Sequence, residues 1–180
     1  MEKFVIGGGT PLFGDVFVSG SKNAALPLLF ATIVTGGTWE IGNLPGISDI
    51  RVTLSILSAM GAKVSYLTKN RVRISTDTLT GAEPPPALTS KIRASTYLLG
   101  AMLARFGRAR IGGYGGCDFS ARPIDMHIAA ARAFGAVSDG GTLVAAYLTG
   151  GEITFPTVSV GATVNALFLA AAATGESVIE

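Results

Sequence analysis

The sequence predicts an α/β (α+β) domain built from a repeated unit of helix, strand, helix and hairpin, about 70 residues long. Three alignments of the chain on itself predict this. Ala24, Leu28, Leu29, Ala31, Gly37, Ile41 and Gly42 recur seventy positions later as Ala94, Leu98, Leu99, Ala101, Gly107, Ile111 and Gly112. Ile50, Leu54, Gly61 and Ala62 recur at an offset of seventy-four as Ile124, Ile128, Gly135 and Ala136. A third copy opens with Ala162, Leu167, Gly175 and Ile179, sixty-eight positions after Ala94, Leu99, Gly107 and Ile111. Self-similarity at a fixed period is the signature of a repeat architecture. The units span about 21–90, 91–156 and a partial 157–180, with residues 1–20 ahead of them. The third unit stops after one helix and strand, so the last helix is expected to lack a packing partner and the chain to be a fragment of a longer protein or a naturally shortened relative.

Each element has its own signal. Lys3–Ile6 and Asp15–Val18 read as short strands around a Gly/Pro turn. A helix follows from about Asn23 to Thr35, with Ser21 or Asn23 as cap and Pro27 near its first turn, where proline costs little. Thr38–Gly42 reads as a strand. Ile50, Leu54 and Leu57 share one face of a helix from about Asp49 to Met60, which Gly61 ends. Val64/Tyr66 and Val72/Ile74 alternate around Lys69-Asn70, which predicts a hairpin of Lys63–Leu67 with Arg71–Ser75. Thr76–Lys91, with Pro84-Pro85-Pro86, reads as an extended linker.

Composition excludes several function classes. The chain is 48% hydrophobic and 14% charged, with a net charge of +2, which is too little clustered cation for a nucleic-acid footprint. One cysteine makes neither a disulfide framework nor a metal site. The longest apolar run, Ala24–Val34, is broken by Pro27 and falls short of the ~18 to 20 apolar residues of a membrane span. The expectation is a soluble, cytoplasmic protein that needs neither metal nor cofactor.

The chemistry is expected around Gly112–Asp125, GGYGGCDFSARPID. This glycine-rich loop carries the sole cysteine, Cys117, followed by Arg122 and by Pro123, which reads as the first position of a helix. A lone cysteine is more often a small buried apolar residue; beside a cation and a helix start it suits a nucleophile or proton donor acting on an anion. The repeat offset grows by four between Gly112 and Ile124, so the second unit is lengthened at this loop. Cations also stand where helices begin: Lys22, Lys91, Arg93 and Arg122. A helix start carries partial positive charge and disfavours cations by ~0.3–1 kcal/mol. Repeating that cost in each unit predicts converging helix starts that hold an anion with several negative groups. The alternative is ordinary solvated surface charge. His127 reads as structural or solvent-facing and not as a general base. Asp125 reads as an acid of the cap region or an acceptor for substrate hydroxyls or a base edge.

SGSKNAALPLLFA, KIRAS, GGCDFSARPIDMH and VSVGAT, in that order, resemble the UDP-N-acetylglucosamine enolpyruvyl transferase (1-carboxyvinyltransferase) family over the whole chain, which matches only the N-terminal portion of the family. The sister family, 5-enolpyruvylshikimate-3-phosphate synthase, shares the fold. The resemblance implies an inside-out α/β barrel of βαβαββ-type units, in which residues 1–20 pair with a second domain. It implies transfer of the enolpyruvyl group from phosphoenolpyruvate to the 3-hydroxyl of UDP-N-acetylglucosamine, with release of phosphate. On this resemblance Lys22 and Asn23 contact both substrates, Arg93 binds substrate, and Cys117 is the mobile-loop proton donor. Arg122, Pro123, Ile124, Asp125 and Met126 bind the uridine nucleotide, with Arg122 also near the phosphate. Val158, Ser159, Val160 and Gly161 surround the diphosphate. Thr157 stands where the family commonly has lysine, and Tyr97 where it often has a stacking tryptophan. The family's general-base aspartate lies beyond this chain. A catalytically silent sugar-nucleotide binding module and a transferase acting on another uridine nucleotide are the alternative functions.

Overall fold

The computed structural model describes residues 3–110, 113, 115 and 123–180. In the first unit, α1 (Lys22–Thr35) is followed by β1 (Thr38–Ile41), α2 (Ser48–Ala59) and the hairpin β2 (Lys63–Thr68) and β3 (Arg71–Ser75). In the second, α4 (Tyr97–Phe106) is followed by β4 (Arg108–Arg110), α5 (Asp125–Ala133) and the hairpin β5 (Val137–Asp139) and β6 (Thr142–Val144). The sheets match strand for strand: β1-β3-β2 and β4-β6-β5, antiparallel throughout. Equivalent sequence has folded to equivalent topology, as the repeat requires. Beyond these, β7 (Glu152–Ile153), at the end of the second unit, pairs in parallel with β8 (Val178–Ile179) of the third, across α6 (Val160–Ala172).

The first helices of the three units, α1, α4 and α6, pack on one another in the middle of the molecule, and the sheets lie outside them. The apolar residues explain this. Leu29, Phe30 and Ile33 of α1, Leu98, Leu99 and Leu103 of α4, and Ala166 and Leu169 of α6 are almost completely buried. Each sheet contributes one inward row, such as Val72 and Ile74 of β3 and Leu143 of β6, while neighbouring residues face solvent. Gly107 takes the left-handed conformation that ends α4, and its N–H bonds the Leu103 carbonyl.

Five expectations are corrected. Residues 3–21 contain no strand; Phe4, Ile6, Phe13, Phe17 and Val18 are exposed, because a strand needs a ladder partner and none of the described residues supplies one. Pro27 is the sixth residue of α1, where its missing N–H leaves the Asn23 carbonyl without its helical bond. Ser21 occupies the N-cap of α1 but makes no side-chain cap bond. The linker Thr76–Lys91 is not simply extended: it holds a short helix, α3 (Pro86–Thr89), and buries Leu79 and Thr89. Finally, α6 does not lack partners, since Ala162, Asn165, Ala166 and Leu169 are buried against its neighbours α4 and α5. No helix among the described residues is long and apolar enough to cross a membrane.

Candidate functional site

Because the helices of the units run from a common end, their N-termini meet around one cavity of about 550 Å³. The start of α1 contributes Lys22, Asn23 and Leu26, and the start of α2 contributes Asp49. A 3-10 turn at Arg93–Thr96 runs into α4 and supplies Arg93, Ala94, Thr96 and Tyr97. Pro123, Met126 and His127 come from the start of α5, and Val158, Ser159, Val160 and Gly161 from that of α6. Among the described residues, only the N-cap of α6 bonds its helix through a side chain, the Ser159 hydroxyl accepting from the Ala162 N–H at 3.3 Å. The N-cap residues of α1, α2 and α5 make no side-chain cap bond, whereas α4 continues from the 3-10 turn, where the Tyr97 N–H already bonds the Ala94 carbonyl. Uncapped amides, dipoles and the cations Lys22 and Arg93 at one place form a setting for anionic groups.

Local sequence fixes the wall. Gly20 passes so close to Asn43 that a Cβ there would overlap its carbonyl, which brings the chain to Lys22 at the cavity's edge. Lys22 Nζ lies 3.3 Å from Asp49 Oδ2. Arg93 donates to the Pro123 carbonyl at 3.3 Å, tying the second unit's helix start to the segment before α5. Tyr97 is buried, its ring 6.0 Å from that of Phe30 in an edge-on arrangement, and burial pushes its hydroxyl pKa up. His127 is 5% exposed, and its pKa is lowered to about 4 by burial and by the Arg93 charge, against an opposing effect of Asp125.

Of the residues singled out in the sequence, Lys22, Asn23, Arg93, Pro123, Met126, Val158, Ser159, Val160 and Gly161 are brought to this one cavity. Ile124 packs partly buried against the core, and Asp125 opens α5 exposed to solvent; neither lines the cavity. Pro123 is not the first helical residue: α5 begins at Asp125 with Ile124 at its N-cap. Lys91 is exposed and outside the lining. Cys117, Arg122 and every residue between them lie outside the described residues. Sequence reasoning gave His127 no place in the site and did not single out Asp49. The repeat held a signal for Asp49, since the same offset of seventy-four maps it onto Pro123.

Comparison with known proteins gives the family and the fold. The model of the EPSP synthase (3-phosphoshikimate 1-carboxyvinyltransferase) family matches residues 6–180. The chain belongs to this family. Among curated relatives, the UDP-N-acetylglucosamine 1-carboxyvinyltransferase of Chlorobaculum parvum is 44% identical over 100% of this chain and 44% of its own length. UDP-N-acetylglucosamine 1-carboxyvinyltransferase 2 of Carboxydothermus hydrogenoformans is 43% identical, with the same shares covered. The chain therefore spans less than half the length of the relatives it matches. In structure it resembles the enolpyruvyl transferase NikO from Streptomyces tendae, with a TM-score of 0.78 and 26% identity over 96% of this chain and 42% of that one. EPSP synthase from Acinetobacter baumannii shares the fold, with a TM-score of 0.67 at 20% identity over 92% of this chain and 40% of that one. The inside-out α/β arrangement expected from the sequence is thus the fold of the family.

Proposed function

We propose that this chain is the substrate-holding portion of an enolpyruvyl transferase that acts on phosphoenolpyruvate and UDP-N-acetylglucosamine, in the cytoplasmic synthesis of peptidoglycan precursors. One observation carries the reading: five helix starts, with Lys22 and Arg93 among them, open on a single cavity. A sugar nucleotide brings a diphosphate, and phosphoenolpyruvate a carboxylate and a phosphate. Relatives over 40% identical along the whole chain carry that acceptor in their name.

In the reaction, the sugar 3-hydroxyl oxygen bonds to C2 of phosphoenolpyruvate as C3 takes a proton. Loss of a proton from C3 and of phosphate from C2 then restores the double bond. Lys22 and Arg93 stabilise the carboxylate and the leaving phosphate, which is electrostatic stabilisation aimed at charge that develops during the reaction. Pro123 and Met126 border the nucleotide, and the first turn of α6, with Val158, Ser159, Val160 and Gly161, borders the diphosphate; Ile124 and Asp125 hold that segment from outside the lining. By the resemblance, Cys117 delivers the proton to C3 and Arg122 adds positive charge. The same resemblance assigns the general base to a part of the family that this chain does not span. The isolated chain is thus expected to bind the sugar nucleotide without turnover.

The test is phosphate release from phosphoenolpyruvate with and without UDP-N-acetylglucosamine, with Cys117→Ala as control, beside calorimetric titration of the nucleotide. Binding without release is the expected result. Release that needs both substrates and Cys117 would mean that the chain assembles a complete site. Absence of both binding and release would overturn the assignment of substrates.

A further inference from the structure

The buried residue that the reaction above does not use is Asn165, on α6 and 1% exposed. Its amide orientation is dictated by the backbone. Oδ1 accepts from the Gly100 N–H at 2.6 Å, and Nδ2 donates to the Thr96 carbonyl at 3.1 Å. Neither backbone group can exchange its role, so the amide cannot be flipped. The same Nδ2 lies 2.6 Å from His127 Nδ1, with the Gly161 carbonyl a weaker third neighbour at 3.3 Å. Nδ1 must therefore accept. A proton there would point at an N–H, so the ring keeps its single proton on Nε2.

The Nε2 edge is turned to the first turn of α6. A Cβ on Gly161 would stand 3.2 Å from Nε2 and 2.9 Å from Cε1, and both residues line the cavity. Nε2 makes no hydrogen bond to any described residue. We propose that Asn165 is a positioning residue that holds His127 as the neutral Nε2–H tautomer, so that the ring presents a hydrogen-bond donor to a diphosphate oxygen in the cavity. The ligand named here rests on the sugar-nucleotide reading above; the tautomer does not. Of the charged groups that act on the ring, Arg93 favours the neutral form and Asp125 opposes it, while burial sides with Arg93. Among the described residues, positive charge at the site then comes from Lys22 and Arg93, and His127 adds direction.

His127 is the sole histidine, so its ring nitrogens can be followed by long-range proton–nitrogen NMR without assignment. In the native chain at neutral pH, a protonated Nε2 and a bare Nδ1 are expected. In Asn165→Asp, a carboxylate facing Nδ1 should draw the proton to that nitrogen and raise the titration midpoint from about 4 to above the ordinary value of about 6.5. An Nδ1–H ring in the native chain, or an unchanged tautomer and midpoint in Asn165→Asp, would overturn the proposal. If that variant does not fold, the native spectrum alone decides. UDP is the ligand probe: it should shift the Nε2 resonance, and calorimetric binding with Nε2 unmoved would overturn the donor role. No UDP binding at all would overturn the nucleotide reading and the donor role together, with the tautomer still decided by the ligand-free spectra.

Discussion

Lys22 Nζ and Asp49 Oδ2 stand 3.3 Å apart, an ion pair that joins the starts of α1 and α2 at the cavity wall. The Lys22 side chain is about half exposed, so the pair contributes less than about 1 kcal/mol to stability. Its larger effect is on ligands, because Asp49 competes with them for the ammonium group. Asp49→Asn should leave the melting temperature within a few degrees of native and tighten phosphoenolpyruvate binding by up to about fivefold, the equivalent of ~1 kcal/mol. Calorimetric titration of both proteins checks this; weaker binding in the variant would mean that Asp49 positions Lys22 instead of competing for it.

His127 makes stability depend on pH in a definite direction. Its folded-state pKa of about 4 lies below the ordinary value of about 6.5, so between those limits the unfolded chain binds more protons. Stability from this group is full above pH ~6.5 and is lost as pH falls toward 4, by at most about 3 kcal/mol. Urea unfolding at pH 7, 5.5 and 4.5 should show this loss in the native chain. His127→Gln should flatten the difference between these pH values, whatever its stability at pH 7. An equal pH slope in both proteins would refute the assignment.

What could be read from the sequence was local or repeated. The hairpin β2–β3 announced itself through Val64/Tyr66 and Val72/Ile74, and α2 through Ile50, Leu54 and Leu57. Lys22 and Arg93 could be placed together because the repeat put each at an equivalent helix start. What could not be read was non-local. Val16 and Val18 alternate like strand residues, but a ladder depends on a partner that local pattern does not reveal. Asn165 looks like a polar interruption of an apolar helix; its partners Gly100 and His127 are 65 and 38 residues away. The start of α5 at Asp125 lies two residues beyond the one Pro123 suggests, because proline fits the first turn of a helix as well as the residues just before it.

The contact between Phe30 and Tyr97 links core packing to the cavity. Phe30 is fully buried in α1, and its ring meets that of Tyr97 edge-on at 6.0 Å. Phe30→Ala should cost about 3–5 kcal/mol, through lost burial and the cavity left behind. It should also free the Tyr97 ring at the cavity wall and weaken nucleotide binding under conditions where the variant remains folded. Denaturant unfolding and a binding titration on the same sample separate the two effects. A loss below about 1 kcal/mol would mean that the neighbouring Leu29 and Ile33 collapse into the space.

Gly100 sets how closely α4 and α6 approach. A Cβ there would overlap the Asn165 amide oxygen and lie 2.9 Å from the Asn165 carbonyl oxygen. The second of these atoms is backbone and can move only with α6. Gly100→Ala gains helix propensity of roughly 1 kcal/mol, yet the forced separation of two buried helices costs about 1–3 kcal/mol or more. Net destabilisation is expected, together with a broken Gly100–Asn165 hydrogen bond and a His127 ring released from its fixed tautomer. Thermal unfolding reads the first effect and the nitrogen spectrum of the single imidazole reads the second. A variant as stable as the native chain with an unchanged imidazole spectrum would mean that α4 and α6 can separate without cost, and that the amide does not depend on their close approach.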